Sequence, residues 1–169
     1  CGGLDLGLVK AGHKIVLATD FDKDCKVTYD NNFDHKLLLK DVKNIRGEEL
    51  PEYDLLTGGF PCQGFSIANI YRDIKDERNE LYLEIVRILN ETKPKYFLAE
   101  NVPGILSLGE GEVVKQILEE FSKCGDGYKV KKYLLNAADY GVPQSRKRVI
   151  FLGVSNKIDK NKTDRKSVV

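Results

Sequence analysis

The chain has no apolar run approaching the roughly 18 residues that a membrane-spanning helix needs, which leaves no candidate for one. A basic start followed by a long apolar segment is missing too, so no signal peptide is legible and a cytoplasmic location is expected. Cysteine is sparse and scattered, at Cys1, Cys25, Cys62 and Cys124. No two of these form a Cys-x-x-Cys pair, which argues against a zinc ribbon or a thioredoxin motif. Histidine is scarcer still: His13 and His35 stand alone, without metal-ligand spacing, and no metal site is expected. No histidine lies near Cys62, so a Cys-His protease arrangement has poor support. Charge of one sign is also lacking, with 27 Lys and Arg against 26 Asp and Glu and a net +1. That balance neither demands nor excludes nucleic acid, because many binders concentrate their charge on one face. Internal repeats are not evident.

What is present is a soluble globular composition, 41% hydrophobic and 31% charged over 169 residues, with room for one domain and a real core. Cys1-Gly2-Gly3 leads into Leu4, Leu8 and Ala11, an apolar stripe at helical spacing that ends near Gly12. Ile15 to Ala18 reads as a strand, and Asp22 is placed to cap a short helix through Tyr29. Leu37 to Leu39 and Tyr53 to Thr57 are further strands. Asn69 to Asn79 is polar and aperiodic, a long loop. Leu81, Ile85, Ile88 and Leu89 mark a helix stopped before Pro94. Tyr96 to Ala99 is a strand; Val113, Ile117, Leu118 and Phe121 mark a helix closed by Gly125. Val130 to Leu135 and Val149 to Val154 are the last strands, joined by a loop from Ala137 to Arg146. This β-α-β alternation implies an α/β fold, doubly wound, with a mainly parallel sheet and helices on both faces. The strand that should precede Gly2-Gly3 is not in the chain, so residues before Cys1 are expected. Lys157, Lys160, Lys162, Arg165 and Lys166 are diluted by Asn, Ser and Asp and read as a solvated linker.

Three groups of residues carry chemistry. The turn at Gly2 and Gly3 lets backbone approach a ligand at a helix N-terminus. Asp20 ends the next strand, where an acidic residue can hold ribose hydroxyls, and Asp41 ends the following one, where it could face an adenine amino group. Asp20 and Asp41 equally fit simple turn or cap residues. The second group is Cys62, in the Gly/Pro-framed turn Gly58-Gly59-Phe60-Pro61-Cys62-Gln63-Gly64-Phe65-Ser66, together with Glu100 at the end of a neighbouring strand. A nucleophilic cysteine must be exposed and rigidly held, and a carboxyl in the same cleft suits attack on a ring that needs protonation elsewhere. The third is Gln144-x-Arg146-x-Arg148, which strand alternation would put on one face. Paired arginines there can bind a carbonyl oxygen, a phosphate or a carboxylate.

Together these residues resemble the cytosine-5 DNA methyltransferase family, up to about Ser155. Gly-Gly-Leu-Asp-Leu-Gly-Leu is similar to the family's opening cofactor motif, Gly59-Phe60-Pro61-Cys62-Gln63 to its catalytic loop, and Glu100-Asn101-Val102 to its acid motif. Ala138 to Arg148 is similar to its Gln-x-Arg-x-Arg segment. The resemblance implies the Rossmann-like fold of S-adenosylmethionine-dependent methyltransferases, missing its first strand. It implies methyl transfer to carbon-5 of cytosine in duplex DNA, with the base flipped out of the helix. Cys62 would attack carbon-6, Glu100 would hold ring nitrogen 3 and the exocyclic amine, and Arg148 with Arg146 would hold the base oxygen. Gln63, Ser66 and Gln144 would touch DNA. For S-adenosylmethionine the resemblance implies Gly2 and Gly3, Asp20 on the ribose, Phe21 against the adenine, Asp41 with Val42 at the adenine edge, Leu81 as an apolar contact and Pro61 near the methyl donor. Asp20 stands where Glu is commoner, and Asn79 where Gly often precedes the Leu81 region.

On this reading residues 1–155 are a partial catalytic domain and 156–169 the start of a linker to a target-recognition domain. A fragment of that kind is expected to be poorly stable and nearly inactive alone, and the full-length enzyme to be monomeric. A transfer-RNA cytosine-5 methyltransferase of the same architecture and a non-catalytic remnant are the competing readings. The recognition sequence is not legible, since base-edge readout determines it.

Overall fold

The structure is a computed structural model that describes residues 2–60 and 80–158. They fall into two compact units that divide between Tyr53 and Asp54.

In the first unit, helix α1 (Gly3–Lys10) starts behind Gly2, whose φ of 79° lies in the left-handed region. Glycine is favoured there because it has no Cβ to strain. A Cβ would also run into the Phe33 ring, with Cζ 2.9 Å away. Helix α2 (Lys23–Asn32) is capped as expected: the Asp22 carboxylate accepts from the backbone N–H groups of Asp24 and Cys25 at 2.7 and 3.1 Å. It runs past Tyr29 to Asn32 and buries the Tyr29 ring, which stacks on Phe33 with centroids 4.2 Å apart. The Tyr29 hydroxyl donates to Asp5 Oδ2 and so ties α2 to α1. Burial, followed by the Asp5 carboxylate, pushes that hydroxyl's pKa upward, so it stays a donor.

Strands β1 (Thr19–Asp20) and β2 (Leu38–Leu39) pair in parallel. The expected strand over Ile15 to Ala18 is displaced to Thr19 and Asp20, because only there does Leu38–Leu39 run alongside to complete a ladder. Asp20 stands opposite Leu39, and Asp41 follows two residues later, so both aspartates lie at the carboxyl end of this parallel pair.

The second unit holds strands β3 (Leu55–Gly59), β4 (Tyr96–Asn101), β5 (Tyr128–Asn136) and β6 (Lys147–Ser155) in the order β3-β4-β6-β5. Helices α3 (Glu80–Thr92) and α4 (Glu112–Lys123) carry the stripes read from the sequence. β3 and β4 are parallel, whereas β6 is antiparallel to both β4 and β5. The last reversal has a simple cause. A parallel crossover takes about a dozen residues or more, and the segment between β5 and β6 closes as a hairpin loop, with Ala137 N–H donating to the Arg146 carbonyl at 3.0 Å.

Alternation along β4 and β6 sorts the side chains. Phe97, Ala99 and Asn101 point to one face with Val149 and Phe151, and there Val113, Val114, Ile117 and Phe121 of α4 complete the core. Rings chain through it: Phe60 to Tyr82, Tyr82 to Phe121, Phe121 to Phe97, and Phe97 to Tyr128, with centroids 4.8 to 5.4 Å apart. Tyr82 donates to Glu120 Oε2 at 2.7 Å, which joins α3 to α4. Cys124 belongs to this core; burial first, then Glu120, pushes its thiol up to about 11. A thiol held protonated in the core is no nucleophile.

Gly153 sits opposite Phe97 in the β4–β6 ladder, and a Cβ there would occupy the Phe97 ring itself. Overpacking a filled core costs roughly 1–3 kcal/mol, occasionally more. Gly153→Ala should therefore lower the melting temperature by several degrees in a thermal scan, and an unchanged transition would contradict the packing described. Among the described residues, no helix is long and apolar enough to cross a membrane, and no cluster of His, Cys, Asp and Glu could hold a metal ion.

Candidate active site

β4 runs two residues past the expected end at Ala99, so Glu100 belongs to the ladder and not to the loop that follows. It is held from both sides, by Gly59 of β3 and Ile150 of β6. Its side chain leaves on the face opposite the aromatic core. Arg148, two residues before Ile150, shares that face as a diagonal neighbour. Arg148 Nε lies 2.7 Å from Glu100 Oε1, with the two side chains 25% and 31% exposed. Arg148 also donates from Nη1 to the Lys147 carbonyl at 2.7 Å, which steadies the guanidinium.

The other oxygen of Glu100 meets bare backbone. A Cβ on Gly59 would stand 3.3 Å from Oε2. One carboxylate oxygen is thus pinned by Arg148, while the other faces a gap that glycine keeps open. Gly59→Ala should push the carboxylate by a few tenths of an ångström and, on the mechanism proposed below, lower kcat about tenfold with little change in melting temperature, since small misplacements of a reacting group are costly. An unchanged kcat in a steady-state assay would show that the gap is not needed.

Gln144 and Arg146 precede β6, which begins at Lys147, so strand alternation does not by itself set their faces relative to Arg148. The preceding residues are loop: Gln144 N–H donates to the Val142 carbonyl at 2.7 Å, and Arg146 N–H to Asn136 Oδ1 at 3.0 Å. Both side chains are exposed and in no described contact with the Glu100–Arg148 pair. Nothing in the sequence marks Asn136, which closes this loop through its carboxamide.

Nor does residue pattern assign a role to Asn101. It is 1% exposed, donates from Nδ2 to the Phe60 carbonyl at 2.9 Å and accepts at Oδ1 from Val102 N–H at 2.8 Å. The one legible signal is a polar residue falling in step with Phe97 and Ala99 on the buried face.

Pro61, Cys62, Gln63, Ser66 and the polar stretch 69–79 lie outside the described residues. Leu81 is half-buried near the start of α3.

The first unit holds the remaining expected cofactor residues. Asp20 Oδ1 accepts from Asp22 N–H at 3.0 Å, and Asp41 Oδ1 from Lys43 N–H at 3.0 Å, so each is the turn residue that its pattern also allowed. Each carboxylate uses one described oxygen this way. Phe21, 69% exposed beside Asp20, presents an apolar ring without cover. Gly3 has nothing within 4 Å of where a Cβ would be, so backbone there is open to a ligand. Val42 is half-buried in the turn that Asp41 caps. An open glycine at a helix start, a carboxylate at a strand end and a bare ring beside it fit a nucleoside-bearing ligand such as S-adenosylmethionine.

The arrangement has counterparts among solved structures. The chain superposes with a TM-score of 0.74 on a crystal structure described as a DNA modification methyltransferase encoded within an E. coli prophage, at 32% identity, covering 98% of this chain and 46% of that one. It superposes on the S. pombe Dnmt2 methyltransferase with a TM-score of 0.71 at 24% identity, covering 99% of this chain and 51% of that one. The fold is that of the S-adenosylmethionine-dependent methyltransferases. The family model for C-5 cytosine-specific DNA methylases matches residues 1–168, and the chain belongs to that family. Type II methyltransferase M.FnuDI of Fusobacterium nucleatum is 49% identical over 90% of this chain and 44% of its own length. M.NgoPII of Neisseria gonorrhoeae is 43% identical over 90% of this chain and 45% of its own length. The chain thus spans about half the length of these relatives.

Proposed function

We propose that the chain carries the catalytic machinery of a DNA cytosine-5 methyltransferase, acting on a cytosine flipped out of duplex DNA. The observation that supports this most is the Glu100–Arg148 pair, with one carboxylate oxygen held at 2.7 Å and the other turned to the gap over Gly59. Cys62 follows Gly59 by three residues in the chain. The relatives named Type II methyltransferases support DNA as the substrate and restriction-modification as the setting.

Cytosine carbon-5 is a poor nucleophile. The Cys62 thiolate adds to carbon-6, forming a sulfur–carbon bond, and the ring electrons move toward nitrogen 3. Glu100 holds nitrogen 3 and the exocyclic amine, offsetting charge as it develops there. Arg148 fixes the Glu100 carboxylate and presents its guanidinium to the base oxygen, with Arg146 available to that oxygen or to a phosphate. S-adenosylmethionine, when bound, would supply the electrophilic methyl group to carbon-5, with its sulfonium sulfur keeping the bonding pair and leaving as a thioether. Loss of the carbon-5 proton then restores the ring and expels Cys62 as the thiolate. Reaching carbon-6 from below the ring requires the base outside the stack. Gly2, Gly3, Asp20, Phe21, Asp41, Val42, Pro61 and Leu81 are the proposed cofactor contacts, and Gln63, Ser66 and Gln144 the proposed DNA contacts. Residues 1–155 form the catalytic part, and 156–169 begin the linker toward a target-recognition domain.

A covalent trap tests this reading. The full-length protein, S-adenosylmethionine and duplex DNA carrying 5-fluorocytosine should give a denaturation-resistant adduct that maps to Cys62, because fluorine cannot leave as the proton does. An adduct on transfer RNA alone would replace DNA as the substrate. No adduct on either, from protein that binds the cofactor, would overturn the mechanism.

A further inference from the structure

We infer that Asn101 is a positioning residue, one that sets where the chain leaves β3 for Cys62 relative to Glu100. This rests on the mechanism proposed above. The β3–β4 ladder ends at Gly59 and Glu100, and beyond it Phe60 is held by both of its backbone polar groups. Its N–H donates to the Glu100 carbonyl at 3.3 Å, and its carbonyl accepts from Asn101 Nδ2 at 2.9 Å. The other end of the same carboxamide takes the Val102 N–H at 2.8 Å. That bond lies where the chain turns away into the Pro103–Leu106 turn.

The chemistry calls for asparagine in particular. The site needs one donor and one acceptor on a short planar group, and both must be met because Asn101 is 1% exposed. Aspartate has the same shape but no donor, and would turn a carboxylate toward the Phe60 carbonyl. The ring of Phe60 is independently anchored, with its centroid 5.4 Å from Tyr82 and 6.3 Å from Phe151. The fold therefore does not depend on the carboxamide to keep Phe60 in the core. What the carboxamide adds is the orientation of the Phe60 peptide, and Cys62 is two residues further on. Glu100, the residue before Asn101, is aligned through the same backbone. One side chain thus couples the end of β3 to β4, the strand that carries the proposed acid.

The test uses Asn101→Asp and Asn101→Ala in the full-length protein. Measured are the dissociation constant for S-adenosylmethionine, the kcat and KM for duplex DNA, and the rate and end-point of adduct formation on 5-fluorocytosine DNA. Both variants should bind the cofactor and DNA within about threefold of wild type and reach the same adduct end-point. Both should lose about 10²-fold in kcat and in the rate of adduct formation, the cost expected of an ångström-scale misplacement. If kcat per adduct-forming site stays within about threefold of wild type, the role is structural only and the inference fails. If one variant does not fold, Asn101→Ser, smaller and still a donor, takes its place and is judged against the same limits. A wild-type protein that forms no adduct would sink the mechanism and this inference with it. An active wild type with active variants would sink the inference alone.

Discussion

On the proposed mechanism, Cys62→Ser should abolish methyl transfer, with kcat falling by on the order of 10⁴-fold or more, the usual scale for removing a covalent nucleophile. A serine hydroxyl is not ionised near neutral pH and cannot add to carbon-6 of the ring. Cofactor affinity and DNA affinity should stay within a few-fold, because neither depends on the sulfur. The 5-fluorocytosine adduct should vanish altogether. The cysteines among the described residues have settings unlike that of an exposed loop thiol. Cys124 is locked in the core with its thiol pushed up to about 11, and Cys25 is half-buried in α2. Retained activity in the serine variant, measured by tritium transfer from labelled cofactor, would remove Cys62 from the mechanism.

Glu100→Gln should lower kcat by about 10² to 10⁴-fold, the range for losing a positioned proton-transfer and charge-stabilising group. Glutamine keeps the shape and a hydrogen bond to Arg148, but it loses the charge that complements both the guanidinium and the developing charge at nitrogen 3. Stability should hardly move. The Glu100–Arg148 pair is 31% and 25% exposed, and partly solvated pairs contribute little. Melting temperature and cofactor affinity are therefore the controls. A variant with normal kcat would show that Glu100 only braces Arg148. A variant that fails to fold would show that the pair is structural.

Much of the fold is legible in the order of residues. The Asp22 cap of α2, the stripes of α3 and α4 and the strand at Leu38–Leu39 lie where local pattern puts them. Local pattern suffices there because a cap or a stripe depends on residues three or four apart. Glu100 and Arg148 are also legible as chemistry-bearing residues, but not as partners: nothing in the spacing says that residues 48 apart form a 2.7 Å ion pair. Strand ends are the weakest point. Residue pattern stops β4 at Ala99 and starts the last strand at Val149, whereas the ladders run to Asn101 and begin at Lys147. A strand's extent is set by which neighbour happens to lie alongside, and a single segment does not contain that information.

Taken alone, the sequence determined the family and the α/β class, and it singled out Cys62, Glu100 and Arg148 as the side chains the proposed mechanism uses. Those follow from residue types and short-range order, which any arrangement of the chain must carry. Only the tertiary structure decided that β6 inserts antiparallel between β4 and β5, bringing Arg148 to Glu100. It also decided that Gly59 lies beside that carboxylate and that Asn101 turns inward to hold Phe60. Each of these depends on register between strands far apart in the chain. Register is settled by which faces bury together, and that is a property of the folded sheet and not of any one stretch of sequence.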